Sequence, residues 1–442
     1  MNELIYNDND TIAAISTPPG SGGIAVIRIS GSRALETADT IWQGKSLRQA
    51  ADHSAHLGTI TRDGVTIDQA VATIFRAPRS YTGEDTVELS VHGSLWIQSE
   101  VLKALTANGA RQALPGEFTR RAYINGRIDL TQAEAVADLI NARTQESHHA
   151  AMRQMRGHLS AIIEPLRQQL IRLAALIELE LDFSEEDVEF ASAQQIKQIR
   201  DDAIAAMQRL ADSFNAGQAL RQGIAVAIIG APNAGKSSLL NILVDDDRAI
   251  VSEIAGTTRD VIEDTAIIGG HLFRFLDTAG LRHTDDTIEK IGIERARTAA
   301  DRADIILYLL DAADSTRTPD PTLLHNPKTI LIENKSDLAA PTQNHAIAIS
   351  ARTGHGIDTL KNTLINRAAN ITRGIDNVAV NARHADALRL AITQLQAMDT
   401  APYPELKAEH LRAATDALSA ITGTIATPTI LSTIFQTFCI GK

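Results

Sequence analysis

The 442-residue chain has a single cysteine, Cys439. One thiol can form neither an internal disulfide nor a cysteine-based zinc site, and such scarcity fits a reducing compartment. Aromatic residues make up only 4%, so the core has to be built chiefly from aliphatic side chains. No apolar stretch reaches the ~20 residues that a membrane-spanning helix requires. Met1–Asp10 is polar and acidic, unlike the basic start and apolar centre of a signal peptide. These absences predict a cytoplasmic protein without membrane contact. An excess of positive charge is missing too: 42 Lys and Arg stand against 54 Asp and Glu, a net charge of −12. Proteins that coat nucleic acid non-specifically are basic, so any RNA contact here must be local or shared with a partner. The Cys439–Lys442 end places its cysteine as a prenylation box would. Lysine is a poor last residue for one, however, and no polybasic stretch precedes it. What is present is ordinary: 44% hydrophobic and 22% charged residues exclude a disordered or collagenous chain. At ~150 residues per domain, the length predicts about three folding units.

The chain changes texture along its length. Residues 1–119 read as an α+β module. Ile24–Ile29, Ala70–Phe75 and Thr86–Val91 are β-rich runs, and Leu95–Asn108 is a helix ended by Gly109. Residues 120–222 read as helical. Thr131-Gln132-Ala133-Glu134 is a capping box, a helix spans Ser147–Leu181 with Pro165 kinking or dividing it, and another spans Ala193–Phe214. Residues 223–375 alternate strand and helix, and residues 376–442 are helical again, with amphipathic stretches at Ala382–Met398 and Lys407–Ile421. The simplest architecture is a helical domain interrupted by an inserted α/β domain, which exposed loops tolerate.

Gly230-Ala231-Pro232-Asn233-Ala234-Gly235-Lys236-Ser237 fits a phosphate-binding loop between the strand Ile224–Ile229 and a helix that opens at Ser238. Glycines let the backbone N–H groups face the phosphates, Lys236 neutralises them, and Ser237 offers its hydroxyl to Mg²⁺. Asp277-Thr278-Ala279-Gly280 follows the strand Leu272–Leu276, where an aspartate on the Mg²⁺ side and a glycine facing the γ-phosphate belong. Asn334-Lys335-Ser336-Asp337 follows the strand Thr329–Ile332. The Asp337 carboxylate can accept from guanine N1–H and the exocyclic amine, whereas adenine would oppose it with a lone pair. Ser350-Ala351-Arg352 is the matching loop with a backbone N–H for O6, and Thr257-Thr258 lies where a switch threonine, Thr258, would ligate Mg²⁺. Together these predict a GTP-binding domain.

Hydrolysis is a separate question. Ras-like enzymes orient the attacking water with a glutamine directly after D-x-x-G, but this chain has Leu281 there. Either hydrolysis is very slow or another polar group acts, with Glu289 the best candidate; the carboxylates around it could also be a solvated acidic face. Arg259 and Arg282 could offset charge on the γ-phosphate or form salt bridges, and Asn233 could ligate a monovalent ion.

Several further motifs share a resemblance: Thr17–Gly23, Arg79–Asp85, Pro115–Ala122, Asp129–Ala135 and the terminal Phe438-Cys439-Ile440-Gly441-Lys442. With the nucleotide motifs, they make essentially the whole chain resemble the tRNA-modification GTPase family called MnmE or TrmE. The resemblance implies an N-terminal tetrahydrofolate-binding-like α+β domain that dimerises, a discontinuous helical domain, and an inserted Ras-like P-loop GTPase domain. It implies a homodimer working with the flavin-dependent partner MnmG (GidA) on tRNA. The pair would install an aminomethyl or carboxymethylaminomethyl group at carbon 5 of the wobble uridine. The one-carbon donor would be 5,10-methylenetetrahydrofolate, with 5-formyltetrahydrofolate as a bound analogue. K⁺ would be held by Asn233, Ser252, Ile254 and Thr257 where an arginine finger would stand, and Glu289 matches the catalytic glutamate. The folate pocket carries over onto Arg28, Glu88, Arg127 and Lys442, or these form structural ion pairs. Arg127 stands where many relatives have lysine, and Ser90–Ser94 is less glycine-rich than the usual His-Gly-Gly.

Two other readings compete. A ribosome-assembly GTPase would usually append an RNA-binding domain, and a GTP-gated scaffold with negligible hydrolysis is what Leu281 alone would favour. Gly20-Ser21-Gly22-Gly23 precedes a strand rather than a helix, which argues against a second phosphate loop. Cys439 is open to a nucleophilic role or an inert one.

Overall fold

The computed structural model describes residues 9–182, 193–245, 264–276, 298–314, 319–343, 345–373 and 380–442. The chain forms two compact units, one of Met1–Ala137, Met155–Ala175 and Leu411–Lys442, the other of Asp138–Gln154 and Leu176–His410. No described helix is long and apolar enough to cross a membrane.

In the first unit, β1 (Thr11–Ile15), β2 (Gly22–Ser30), β3 (Trp42–Gln43), β4 (Ser54–Arg62), β5 (Val65–Phe75), β6 (Thr86–Gly93) and β7 (Ala110–Gln112) form one seven-stranded sheet. Its order is β3-β4-β5-β6-β2-β1-β7, antiparallel except for β1 with β7. Side chains alternate across a strand, so Ala25, Ile27 and Ile29 of β2 share one buried face with Val87, Leu89 and Val91 of β6. Helix α1 (Ala34–Thr40) covers that face with Ala34, Leu35 and Ala38, and α2 (Leu95–Ala107) with Val101, Ala104 and Leu105. The strands expected at 24–29, 70–75 and 86–91 are therefore present. The helix expected from Leu95 ends one residue early, and Gly109 at φ +98° supplies the left-handed turn. On the opposite face, Phe118 of α3 (Glu117–Ile124) packs with Ile12, Ala14 and Ala113.

Among the described residues, the longer helices that follow are α4 (Leu130–Asn141), α5 (Gln145–Met155), α6 (His158–Asp182), α7 (Ala193–Asp212), α8 (Phe214–Gln222), α9 (Lys236–Asp245), α10 (Ile357–Ile371), α11 (Ala382–Ala397), α12 (Pro404–Thr422) and α13 (Pro428–Phe435). Three differ from the sequence expectation. The capping box of α4 lies two residues earlier: Asp129 Oδ1 accepts from Gln132 N and Gln132 Oε1 from Asp129 N, both at 2.9 Å. Asp129-Leu-Thr-Gln has the same spacing as the expected box, and the Thr131 hydroxyl is spent on Asp129 at 2.7 Å. The long helix divides at Gly157, φ +79°, not at Pro165, which lies inside α6. Glycine enters the left-handed region without Cβ strain, whereas proline removes only one backbone bond. Finally, the helix expected to end at Phe214 stops at Asp212, and a separate α8 begins at Phe214.

The chain's end completes the first unit's core. Phe435 and Phe438 bury against Leu130, Ala133 and Val136. Past them, Phe118 N donates to the Lys442 carbonyl at 3.2 Å and Ser16 Oγ to the Gly441 carbonyl at 3.1 Å. Gly116 has φ +66°, and a Cβ there would lie 2.5 Å from the Phe435 carbonyl.

The second unit carries β8 (Ile224–Gly230), β9 (Asp264–Ile268), β10 (His271–Phe275), β11 (Ile305–Asp311), β12 (Thr329–Asn334) and β13 (Ile347–Ala348) in the order β13-β12-β11-β8-β10-β9. All pairs are parallel except β9 with β10. The central strands are continuous apolar runs because both faces are covered. Leu239, Leu240 and Leu243 of α9 and Leu360, Leu364 and Ala368 of α10 pack against Val226, Ile228, Leu307 and Leu309. Ala300 and Ala303 meet Ala227, Ile229, Ile306 and Tyr308 on the other face.

Charge is buried in the first unit. Arg121, 1% exposed, donates to Asp10 Oδ1 at 2.6 Å, Glu84 at 3.2 Å and Glu117 Oε1 at 3.3 Å. Arg111 adds bonds to Asp10 Oδ2 at 2.7 Å and Glu117 Oε1 at 2.6 Å. Buried charges are tolerable only when paired and hydrogen-bonded. Burial works to raise the Asp10 carboxyl, but the bonds and charges of Arg111 and Arg121 outweigh it and hold the group below its ordinary range. Such a carboxyl contributes stability above its unfolded value of about 3.9 and loses it as pH falls through the lower folded value. Asp10→Asn should therefore lower stability at pH 7 by about 1–3 kcal/mol and flatten the decline in urea midpoint below about pH 4. An unchanged acid slope in the variant would assign that decline to other carboxyls.

Candidate functional site

The loops that follow β8, β11 and β12 gather at the carboxyl ends of parallel strands, where ligands of such sheets bind. Register sets their spacing: Gly230 lies opposite Leu309, and Asp311 opposite Asn334. The residues Gly230–Ser237 connect β8 to α9, the context the motif requires. Asn233 at φ +62° and Gly235 at φ +94° turn the loop. Gly235 also has no room for a side chain, because a Cβ would overlap the Asn334 amide. Lys236 Nζ donates to the carbonyls of Gly230 at 2.9 Å and Ala231 at 2.7 Å, which folds its stem back over the loop. Ser237 and Ser238 follow in the first turn of α9.

Asn334, 2% exposed, is the hub. Its Nδ2 donates to the Ala234 carbonyl at 2.8 Å, and its Oδ1 accepts from Ala351 N at 3.0 Å. One carboxamide thus joins the phosphate loop to the Ser350-Ala351-Arg352 loop. Lys335, at φ +66°, donates from Nζ to Asp311 Oδ2 at 2.5 Å. The Ser350 hydroxyl hydrogen-bonds the Asp337 carboxylate, and this bond together with the Arg352 charge holds that carboxyl below its ordinary range. Asp337 is thus an anion at neutral pH, able to accept two hydrogen bonds from a base edge. The structure therefore brings Ala234, Gly235, Lys236, Asn334, Lys335, Asp337, Ser350, Ala351 and Arg352 to one end of the sheet. Ser252, Ile254, Thr257, Thr258, Asp277, Thr278, Ala279, Gly280 and Glu289 lie outside the described residues.

Two carboxylates escaped the sequence reading. Glu333 is 2% exposed and accepts from Thr342 N at 2.8 Å, Thr342 Oγ1 at 2.7 Å and Gln343 N at 3.2 Å, pinning a loop beside the base motif. Asp311 pairs with Lys335 as above. Each is an acid at the end of an apolar strand, and that misfit with the burial pattern was the available signal.

In the first unit, Arg28 and Glu88 sit opposite each other on β2 and β6 and form an ion pair at 2.8 Å. The Arg28 guanidinium lies 5.4 Å from the Tyr81 ring centre and 5.6 Å from that of Phe118. Tyr81 donates to or accepts from Thr119 at 2.8 Å, and burial raises its phenol. The Lys442 carbonyl reaches Phe118 N, and Arg127 carbons lie 3.2 and 3.5 Å from where a Gly83 Cβ would stand. The last residues meet α3 through the main chain of Lys442. Cys439 is exposed. The Tyr81 and Phe118 rings reach Arg28 only through the tertiary fold, so no local pattern singles them out.

A phosphate loop between β8 and α9, the strand order of the second sheet and a base motif after β12 define a Ras-like P-loop GTPase. The description "MnmE helical domain" matches residues 130–439, and "GTP-binding protein TrmE N-terminus" matches residues 11–127. The tRNA modification GTPase MnmE of Porphyromonas gingivalis is 44% identical over 100% of both chains. That of Flavobacterium johnsoniae is 42% identical over 98% of this chain and 100% of its own. Among solved structures, the G domain of the T. maritima FeoB iron transporter aligns with 22% identity and TM-score 0.25, covering 33% of this chain and 98% of its own. The chain belongs to the MnmE (TrmE) family, and it is a GTPase acting in tRNA modification.

Asn334→Ala should strip the Ala234 carbonyl and the Ala351 N–H of their shared partner. The expected result is a fall in GTP and GDP affinity of about tenfold or more, since an unsatisfied buried group costs about 1–3 kcal/mol. Calorimetric titration of the full-length variant checks it, and unaltered affinity would remove the hub role.

Proposed function

We propose that this GTPase acts as a homodimer with a flavin-dependent partner of the MnmG (GidA) type. Together they attach an aminomethyl or carboxymethylaminomethyl group at carbon 5 of the wobble uridine of certain tRNAs. The observation that carries the nucleotide half is the Asn334 hub, which fixes a phosphate loop and a guanine-reading carboxylate in one frame. In this reading Asp337 accepts from guanine N1–H and the exocyclic amine. Ala351 N–H is committed to Asn334, so the Arg352 N–H serves O6. Lys236 meets the β and γ phosphates, with Asn233, Ala234, Gly235 and Ser238 lining the loop. Mg²⁺ would be held by the hydroxyls of Ser237 and Thr258, hard oxygen donors of the kind it takes, with Asp277, Thr278, Ala279 and Gly280 on the γ side. Asn233, Ser252, Ile254 and Thr257 would hold K⁺, whose chemistry there would be positive charge beside the transferring phosphoryl group. Asn233 is already turned into the left-handed region at the head of the loop. Glu289 orients and deprotonates the attacking water, because Leu281 cannot.

The second half of the reading is a tetrahydrofolate site built on Arg28, Glu88, Arg127 and Lys442. A guanidinium and a carboxylate form a donor and acceptor pair of the kind a pterin requires. When bound, methylenetetrahydrofolate supplies the one-carbon unit. Glu88 orients Arg28 by their ion pair, and the Tyr81 and Phe118 rings lie within cation–π range of its guanidinium. The domain plan is an N-terminal folate module at 1–119, a helical domain at 120–222 and 376–442, and a GTPase domain at 223–375.

GTP turnover should run about tenfold or more faster in potassium than in sodium. In Glu289→Ala it should fall by about 100-fold or more while nucleotide affinity stays within twofold, as for loss of a general base. Equal rates in the two salts would remove the K⁺ role, and unchanged turnover in the variant would remove that of Glu289. Nucleoside analysis of tRNA tests the pathway: cells lacking the protein should lack the modified wobble uridine. Cells carrying Arg28→Ala should lack it too, although the purified variant hydrolyses GTP normally. Intact wobble modification in the null strain would defeat the proposal.

A further inference from the structure

The Asp311–Lys335 ion pair lies beside the base motif, and none of the roles above uses it. We infer that Asp311 is a positioning residue for guanine recognition, acting through Lys335. The inference rests on reading Asp337 as the guanine-binding carboxylate.

Lys335 is paired with Asp311 at the end of β11, and a second carboxylate, Asp337, follows two residues further along its own loop. A lysine ammonium is a compact charge on a flexible four-carbon stem and pairs with whichever anion it can reach. If it paired with Asp337, it would occupy the oxygens that must accept from guanine N1–H and the exocyclic amine. Asp311 removes that competition. Its Oδ2 accepts from Lys335 Nζ at 2.5 Å, and its Oδ1 accepts from Ala313 N at 3.0 Å, so the carboxylate is aimed by its own turn. The strand pairing holds the two partners together: Asp311 is in register with Asn334, and Ala312 N donates to the Asn334 carbonyl at 2.9 Å. The side chains are 19% and 32% exposed, partly shielded from the solvent screening that weakens surface pairs. With its ammonium fixed at Asp311, Lys335 leaves the Asp337 carboxylate to the base edge.

The variant to make is Asp311→Asn, which preserves size and the acceptor for Ala313 N but removes the charge. In the full-length protein, affinities for GTP and GDP should fall together by about tenfold, equivalent to about 1.4 kcal/mol. KM for GTP should rise alike, with kcat at saturation unchanged, because the γ-phosphate is not involved. Asp311→Glu should recover part of the loss. In a Lys335→Met background, Asp311→Asn should have no further effect on affinity. Affinity equal to the unaltered protein, or the same loss in the Lys335→Met background, overturns the inference, the latter leaving Asp311 a strand-end staple. A companion variant, Asp337→Asn, separates the two levels. Its amide can donate to the C2 carbonyl of xanthine, so preference should move from GTP to xanthosine triphosphate. Failure of that switch overturns the guanine-site reading itself. A successful switch with normal nucleotide binding by Asp311→Asn overturns only the role of Asp311.

Discussion

The carboxamide of Asn334 is the constraint around which the nucleotide end is organised. It has one donating and one accepting end, and both are used: the amine on the Ala234 carbonyl, the oxygen on the Ala351 N–H. Loops that leave three different strands are thereby held in a single frame. A buried amide with both ends satisfied is rigid, because breaking either bond strands a polar group away from water. Gly235 follows from the same contact, since any Cβ would take the space that the Asn334 amide fills. The neighbouring acids extend the frame outward. Glu333 pins residues 342 and 343, and Asp311 pins Lys335.

The first unit depends on a different closure. Its sheet is made from residues near the chain's start, yet Phe435 and Phe438 fill part of its helical core and the last residues bond to Ser16, just past β1, and to α3. Two stretches, Asp138–Gln154 and Leu176–His410, are thus inserted in sequence into a unit whose ends meet at positions 16 and 441. The buried charges of Asp10, Glu84, Arg111, Glu117 and Arg121 lie in this unit. They tie the residue before β1, the loop before β6, β7 and α3 together with directional bonds that apolar packing alone would not specify.

Much of this was legible in residue order. The phosphate loop, the base motif and the strands that carry them follow from glycine placement and apolar runs bounded by polar turns, both local properties. Where the reading slipped, the competing signals were also local but close in strength. Thr131 and Asp129 could each open α4, and the aspartate prevailed. Gly157 and Pro165 could each divide the long helix, and the glycine prevailed because a left-handed turn ends a helix whereas one missing N–H need not.

The sequence by itself determined which chemistry is available. It set the loop that can wrap a phosphate, the acid that can read a guanine and the leucine that cannot position water. Those depend on residue type and short spacing. The tertiary structure alone decided the pairings: Asp311 with Lys335, Glu88 with Arg28 beside Tyr81 and Phe118, and the tail with Ser16. These contacts join residues up to 425 positions apart. No local pattern encodes such a separation, because strand register and core burial choose the neighbours only after the chain has folded.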